Sequence, residues 1–249
     1  AVAVTSAGSQ DNIEQVQAGV LTAALTQFDV AALNIKNDDT LLLLGKLTPE
    51  ALFCVAPKAG RIKRYADLVA PQHSAVNTLV GAKHSGSAQT LHYLSELDPR
   101  LKANLNLIYD DNFYHQLLTP APSWDLGCFV MMPNPRNQVI QALVEAPHLA
   151  FIAIDNPSFQ DAQMGGLPVY ALQEVPISGT PSEILSQFIQ PKTIKTLVTW
   201  VGIIVNSHQI DDPVLAALQQ VVQKQDLLPP ESLSSKVVRI LERFAQMNH

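Results

Sequence analysis

The chain has 249 residues, and its formal net charge is −6. Hydrophobic residues make up 47% of the chain and charged residues only 15%, which supports a sizeable core and excludes a disordered chain. The pI near 5.6 argues against a nucleic-acid-binding protein, and no apolar run has the roughly 18 residues of a membrane-spanning helix.

Along the chain, short apolar runs that are typical of strands alternate with helical spacing of apolar residues. Apolar strand runs are predicted at 1–5, 21–25, 41–44, 51–56, 77–82, 105–109, 126–131, 149–154 and 196–205. Helices are predicted near 9–19, 85–95, 137–145, 212–225 and 230–246, and long loops with one helical turn at 156–191. This alternation predicts an α/β protein with mostly parallel sheets.

The order of these elements predicts two lobes. Lobe 1 is expected to contain residues 1–73 and 197–249, and lobe 2 residues 74–196. Apolar strands near residues 72 and 198 are the expected crossovers between them. A cleft between two such lobes is where a protein of this kind holds a small ligand.

Both cysteines lie in apolar runs that are predicted to be buried strands. Cys54 and Cys128 are therefore each expected to act as a small buried hydrophobic side chain. A disulfide and a catalytic thiol are the less favoured alternatives. Two cysteines are too few for a disulfide scaffold or for a zinc site with four cysteine ligands.

The segment Gly81–Thr90 carries the strongest local signal for ligand binding. A strand runs into a turn of small residues, several of them with hydroxyl groups, which opens a helix. Backbone N–H groups without helical partners at such a helix start attract anions. Ser85, Ser87 and Thr90 add side-chain donors, and Gly86 lets a ligand approach the backbone closely. The alternative is an ordinary serine-capped helix.

No catalytic apparatus is evident in the sequence. A nucleophile elbow needs Gly-x-Ser-x-Gly, but Lys83 and Ser87 occupy the glycine positions around Ser85. The chain has no Gly-Lys-Ser or Gly-Lys-Thr phosphate-binding ending. The seven histidines are scattered and form no recognised metal-ligand spacing. The chain is therefore predicted to be neither an enzyme nor a holder of a metal or cofactor.

A series of segments, in order along the chain, resembles a known family. The matching segments are Thr5–Asn12, Gln17–Gly19, Leu25–Val30, Tyr65–Leu68, Gly81–Thr90, Asp125–Pro135, Tyr170–Pro176 and Thr196–Val205. They resemble the TAXI family, the solute receptors of one branch of TRAP transporters, which have the type 2 periplasmic-binding-protein fold. In that family a Gly-Ser-x-x-Asn turn opens a helix and a Gln-x-Asp strand end faces the cleft. The resemblance covers almost the whole chain.

The resemblance implies a periplasmic, or otherwise extracytoplasmic, receptor that closes on a small solute and presents it to an integral-membrane permease. The implied solute bears a carboxylate, as acidic amino acids and dicarboxylates do. Together with the helix start described above, it predicts that the ligand-binding residues are Ser9, Asn12, Gln27, Asp29, Ser85, Gly86, Ser87, Ala88, Gln89, Thr90, Asn134 and Arg136. Arg136 can pair with a second anionic group or lie on the surface.

The chain departs from the family pattern in two places. The family's first strand and its glycine-rich turn have no counterpart ahead of Ala1, so lobe 1 is expected to lack its first strand. In the serine turn, Ala88 stands where the family usually has threonine, which removes one hydroxyl group.

A second function is compatible with the same sequence. The two-lobed fold also serves as the ligand-sensing domain of larger regulatory or receptor proteins, and fold alone does not separate the two functions. A cleavable signal peptide upstream would favour transport. A DNA-binding or membrane-spanning segment upstream would favour sensing.

Overall fold

The computed structural model describes residues 4–35, 38–71, 74–120, 122–178 and 192–224. The helices are α1 (Ser9–Gln17), α2 (Phe28–Asn34), α3 (Tyr65–Val69), α4 (Gly86–Leu97), α5 (Pro99–Asn104), α6 (Phe113–Leu117), α7 (Gln138–Glu145) and α8 (Asp212–Gln223). The strands are β1 (Ala23–Gln27), β2 (Leu41–Pro57), β3 (Val76–Val80), β4 (Leu105–Tyr109), β5 (Leu126–Met131), β6 (Leu149–Ile152), β7 (Gln163–Met164), β8 (Leu167–Pro168), β9 (Ala171–Pro176) and β10 (Thr193–Asn206).

The chain divides into two compact units. Unit 1 comprises residues 1–48 and 200–249, and unit 2 comprises residues 49–199. The first boundary between the units lies inside β2, because the second half of β2 pairs with β5 and β6 of unit 2. The second boundary lies inside β10, near the predicted crossover at 198. The division into ligand-binding lobes at 73–74 and 196–197 stays a prediction.

In unit 1 the sheet strands lie side by side in the order β1-β10-β2. Because successive strand residues point to opposite faces, Ile204 faces the helices α1 and α2, whereas Ile203 and Val205 face α8. On the α8 face they pack with Leu218 and Val221. Each face of the sheet is therefore covered by helices, and burial of these side chains is the main stabilising term of the unit.

Unit 2 is built on strands in the order β2-β5-β3-β4, with β6 also pairing with β2 and β9 pairing with β10. Its core is rich in aromatic rings. Phe53 of β2 stacks on Phe129 of β5 with ring centroids 5.5 Å apart, and Phe113 of α6 meets Phe129 edge-on at 5.9 Å. Trp124 and Leu117 fill the same cluster, so the loop after α6 is tied to the core.

The prediction of mostly parallel sheets is wrong. Parallel pairing joins β3 to β4 and to β5, whereas β1 and β9 both run antiparallel to β10, and β5 and β6 run antiparallel to β2. The reason is that β2 and β10 are long strands, and the chain direction of β5 and β6 beside β2, and of β1 and β9 beside β10, is opposite to theirs. Apolar periodicity identifies a strand, but it carries no information about strand direction.

The prediction that both cysteines are free buried thiols is also wrong. Cys54 of β2 and Cys128 of β5 lie directly opposite each other in the antiparallel pair, with Cα atoms 4.2 Å apart, and they form a disulfide. Each is 1% exposed. The burial was predicted correctly, whereas the bond depends on a register between two strands that are distant in the sequence.

Most predicted strands and four predicted helices coincide with elements of the structure, whereas the helices α2, α3, α5 and α6 were not predicted. Two predicted strands, 41–44 and 51–56, form the single long strand β2. The stretch predicted as loop contains a 3-10 helix, Pro157–Asp161, and the strand β9, which pairs with β10. The helix predicted at 230–246 and the start of the strand predicted at 1–5 lie outside the described residues. No helix among the described residues is long and apolar enough to cross a membrane.

Candidate functional site

The structure brings together two of the residues predicted to bind a ligand from unit 1. Ser9 begins α1 and Gln27 ends β1; the Ser9 hydroxyl donates to Gln27 Oε1 at 3.5 Å, and the Gln27 backbone N–H donates to Ser9 Oγ at 3.4 Å. Both distances are long for hydrogen bonds, so both contacts are weak. The Ser9 hydroxyl and the Gln27 amide are therefore polar groups that a better partner can recruit.

Asn12 and Asp29 are used inside unit 1. Asn12 Nδ2 donates to the Leu25 carbonyl at 2.7 Å, which ties α1 to β1. Asp29 is fully buried in the first turn of α2, and its Oδ1 accepts the Val30 backbone N–H at 2.9 Å. The resemblance implies a strand end at Gln27–Asp29, but the strand stops at Gln27 and a helix follows at once. Of these two residues, Gln27 is therefore the better candidate for a ligand contact, and Asp29 the weaker one.

A cluster beside this pair was not predicted. Lys46 Nζ lies 3.3 Å from the centroid of the Trp200 ring and 5.8 Å from that of Phe28. The two rings meet edge-on, with centroids 6.4 Å apart. Burial lowers the pKa of Lys46 below its ordinary value. Three separate segments form the cluster, so no local motif in the sequence could have revealed it.

In unit 2, α4 begins where the sequence predicts. Ser85 is its N-cap, and Ser85 Oγ accepts the backbone N–H of Ala88 at 3.3 Å. The Gln89 backbone N–H donates to the Ser85 carbonyl at 3.1 Å. Two of the N–H groups predicted to hold an anion therefore already have partners within the turn. The anion-binding site predicted at this turn therefore has fewer available backbone N–H groups than the sequence indicates. It is centred on Gly86 and Ser87.

The serine turn also contacts β5. Ser87 Oγ accepts the backbone N–H of Val130 at 2.9 Å, so the start of α4 is joined to the end of the strand that leads to the Asn134 segment. The Gln89 side chain donates to the Lys83 carbonyl at 2.8 Å, which fixes the turn from inside. Ala88 and Thr90 are fully buried and act as packing residues of the helix.

Asn134 and Arg136 are exposed residues in the loop after β5. Asn134 Oδ1 accepts the Arg136 backbone N–H at 2.9 Å, and the Asn134 carbonyl accepts the Asn137 N–H at 2.9 Å. These bonds form a local turn that leads into α7. The structure therefore gives Asn134 a turn-forming role, and the proposed contact of either residue with a ligand stays a prediction.

A carboxylate with a strongly lowered pKa, Asp98, belongs to a buried network in unit 2. Asp98 Oδ2 accepts the Tyr65 hydroxyl at 2.8 Å, and Arg100 donates to both Asp98 oxygens at 2.9 and 2.7 Å. The Arg100 guanidinium and the Tyr65 hydroxyl hold the pKa of Asp98 at about 2. Asn156 donates to the Tyr65 oxygen at 3.3 Å. Asp98 also caps α5, so this network is structural.

We expect Asp98→Asn to destabilise the protein by about 2 kcal/mol at neutral pH. A carboxylate whose pKa is lowered on folding stabilises the folded state above its unfolded pKa. That stabilisation is lost as pH falls toward the folded value of about 2. The difference between wild type and variant, measured by denaturant unfolding, should therefore shrink between about pH 5 and pH 2. Asp161→Asn, at an exposed carboxylate, is the control, and a constant difference across this range would contradict the assignment.

Within the described ranges, no group of three or more His, Cys, Asp or Glu side chains is arranged to hold a metal ion. The acidic pairs at 38–39, 110–111 and 211–212 lie near the ends of helices or strands. The polar groups described above are serine hydroxyls, side-chain and backbone amides, and one lysine. Hydrogen-bond donors of these kinds suit the binding of a small anionic solute.

Comparison with known proteins adds only distant likenesses. No protein-family model matches the chain, and no curated protein is significantly similar to it. A solved structure of a mutant of arginine-bound ArgBP from T. maritima is 12% identical, with a TM-score of 0.43, over 85% of this chain and 71% of that one. The alkanesulfonate-binding protein SsuA from Xanthomonas axonopodis pv. citri, bound to MOPS, is 10% identical, with a TM-score of 0.47, over 97% of this chain and 66% of that one.

A DNA-bound regulator is among the similar structures as well. Full-length CbnR in complex with its target DNA is 13% identical, with a TM-score of 0.44, over 90% of this chain and 59% of that one. The chain thus spans less than two thirds of SsuA and of CbnR. TM-scores and identities this low assign neither a fold family nor a ligand, so the function must be argued from the residues of this chain.

Proposed function

We propose that the chain is an extracytoplasmic receptor that captures a small carboxylate-bearing solute and delivers it to a membrane permease of the TRAP type. The observation that carries the proposal is the start of α4, where Ser85 and Ser87 present hydroxyl groups around Gly86 at the N terminus of a 12-residue helix. A carboxylate that leaves water needs charge-assisted donors, and this turn supplies them without a balancing cation.

Unit 1 has its own pair of predicted ligand-binding residues. Ser9 and Gln27 are joined only by long hydrogen bonds, and the Gln27 side chain is a buried amide at 4% exposure. A ligand oxygen at normal hydrogen-bond distance would be a better partner for the amide than the serine is. The TRAP-type permease is inferred from the resemblance of the sequence segments alone.

The disulfide supports an extracytoplasmic location. Disulfides form and persist in oxidising compartments and are rare in the cytosol of mesophiles. Cys54 and Cys128 are buried and bonded inside a sheet, so the bond is a structural one. This observation favours a periplasmic receptor, or the periplasmic sensor of a larger protein, over a cytosolic regulator.

Ser87→Ala and Gln27→Ala are each expected to weaken solute binding about 10- to 150-fold, because each removes one hydrogen bond to a charged group. Native mass spectrometry of gently purified protein would first give the mass of any retained solute. Isothermal titration calorimetry with that solute, or with L-glutamate and succinate, then measures the affinity of each variant.

The controls must separate binding from folding, because Ser87 also accepts the Val130 N–H. Ser87→Thr keeps a hydroxyl group, and Ser95→Ala removes a serine from the far half of α4. Gln219→Ala, at an exposed position of α8, is the matched control for Gln27→Ala. Unchanged affinity in both Ser87→Ala and Gln27→Ala, with unchanged thermal stability, would rule out these residues as the binding site.

A further inference from the structure

We infer that Lys46, held over the ring of Trp200, is a residue of unit 1 that binds a carboxylate group of the solute. The inference rests on the proposed function and identifies an anion-binding group that the sequence does not indicate. The ammonium lies 3.3 Å from the centroid of the Trp200 ring, well inside the distance of about 6 Å at which a cation and an aromatic face attract. Phe28 adds a second ring at 5.8 Å.

Gly45, which has a left-handed backbone conformation, places Lys46 on the face of the unit 1 sheet that packs against α1 and α2. Leu43 packs with the α1–α2 face of unit 1, and Leu44 and Leu47 pack with the α8 face. Strict alternation would put Lys46 on the same face as Leu44. Gly45 has φ +51, which interrupts the alternation and turns Lys46 toward Phe28 and Trp200, away from the α8 core.

A second glycine makes room for the aromatic pair. A Cβ atom on Gly202 would lie 2.9 Å from Phe28 Cε1 and 2.6 Å from the Gly45 carbonyl oxygen. Gly202 lies two residues after Trp200 on the same face of β10. Phe28 can therefore lie against β10 beside Trp200 only because this position has no side chain. The geometry around Lys46 thus depends on two glycines on neighbouring strands.

The charge of Lys46 has no carboxylate partner in the described part of the chain. Ion pairs in that part include Arg61–Asp125, Arg64–Asp67 and Arg100–Asp98, and none of these involves Lys46. Lys46 is half-buried, and its burial lowers its pKa, so the ammonium has lost hydration for which the two rings compensate only in part. A bound carboxylate would supply the missing counter-charge.

The β1–β10 register places the residues around Lys46 relative to Ser9 and Gln27. Gln27 lies opposite Val201 in the β1–β10 register, so Phe28 and Trp200 are the next residues beyond the end of that pairing. The lysine and its two rings therefore lie at the same end of the unit 1 sheet as Ser9 and Gln27.

The test compares Lys46→Met and Lys46→Arg with Gln27→Ala, using calorimetry with succinate and L-glutamate as the carboxylate probes and succinamide as the uncharged one. Methionine keeps the apolar contact with Trp200 and loses the charge, whereas arginine keeps both. We expect Lys46→Met to weaken binding of the carboxylates about 10- to 100-fold and Lys46→Arg to restore most of it. Lys224→Met, at an exposed lysine of the same unit, should change nothing.

A second measurement places the anion beside the ring. The chain has two tryptophans, so Trp124→Phe leaves Trp200 as the only tryptophan emitter. Succinate should change its fluorescence with the same affinity as calorimetry reports, and Lys46→Met should abolish the change. Added salt should weaken binding in the wild type more than in Lys46→Met.

The outcomes separate the two proposals. If Gln27→Ala loses affinity while Lys46→Met binds the carboxylates as the wild type does, the role of Lys46 is overturned and the receptor function stands. If the wild-type protein binds neither succinate nor L-glutamate, the carboxylate specificity fails, and the inference about Lys46 fails with it. Loss of carboxylate binding in Lys46→Met, with recovery in Lys46→Arg, supports both.

Discussion

Replacing Cys54 and Cys128 together by alanine is expected to lower the free energy of unfolding by about 4 kcal/mol. The bond closes a loop of 74 residues, and the chain-entropy model assigns a stabilisation of that size to a loop of this length. Both sulfurs are buried between β2 and β5, so the variant also loses well-packed contacts. Guanidinium unfolding of the oxidised wild type and of the double variant gives the difference directly.

Reduction provides the matched control for this expectation. Wild-type protein unfolded in excess dithiothreitol should approach the stability of the double variant, and the reductant should leave the double variant unchanged. Equal unfolding midpoints for oxidised wild type and double variant would contradict a structural role for the bond. A large difference would add to the case for an oxidising compartment, since the reduced chain would then be markedly less stable.

The sequence predicts the elements of this fold better than their pairing. Apolar runs locate β4 and β5 at the residues that the structure shows, and the serine before a helical spacing locates the start of α4. Both signals are local, because they arise from side-chain alternation and from the donors at a helix N terminus. The Cys54–Cys128 bond is different in kind, since it requires the register between β2 and β5.

The candidate site shows the same division between local and distant signals. The contact between Ser9 and Gln27 follows from a helix that begins beside the end of the next strand, and the resemblance indicates both residues. Ser87 is also predicted, but its bond to the Val130 N–H is not, because β5 lies far along the chain. Lys46 was missed altogether. Its position depends on the positive φ of Gly45, and an isolated glycine in an apolar run is only a weak sign of such an interruption.

Gly45→Ala is expected to destabilise the protein by about 3 kcal/mol and to displace Lys46 from Trp200. A left-handed conformation costs a residue with a Cβ atom about 1–2 kcal/mol. In addition, a Cβ at this position would overlap Val222 Cγ1 of α8, and overpacking of this kind costs about 1–3 kcal/mol. Thermal and denaturant unfolding measure the stability, and the fluorescence of Trp200 in the Trp124→Phe background reports the position of the lysine.

Gly165→Ala separates the two costs of the Gly45 substitution. Gly165 has φ +56, close to the +51 of Gly45, but a Cβ there would meet nothing within 4 Å. It should therefore cost only the backbone strain, about 1 kcal/mol, and leave succinate binding unchanged. The double variant Gly45→Ala/Val222→Ala removes the steric overlap and should regain part of the stability. The backbone strain at residue 45 remains in this variant, so the position of Lys46 toward Phe28 and Trp200 is still disfavoured. One outcome would contradict the role of Gly45: Gly45→Ala is no more destabilising than Gly165→Ala and keeps full affinity for succinate. The strand would then place Lys46 over the Trp200 ring without a glycine at position 45.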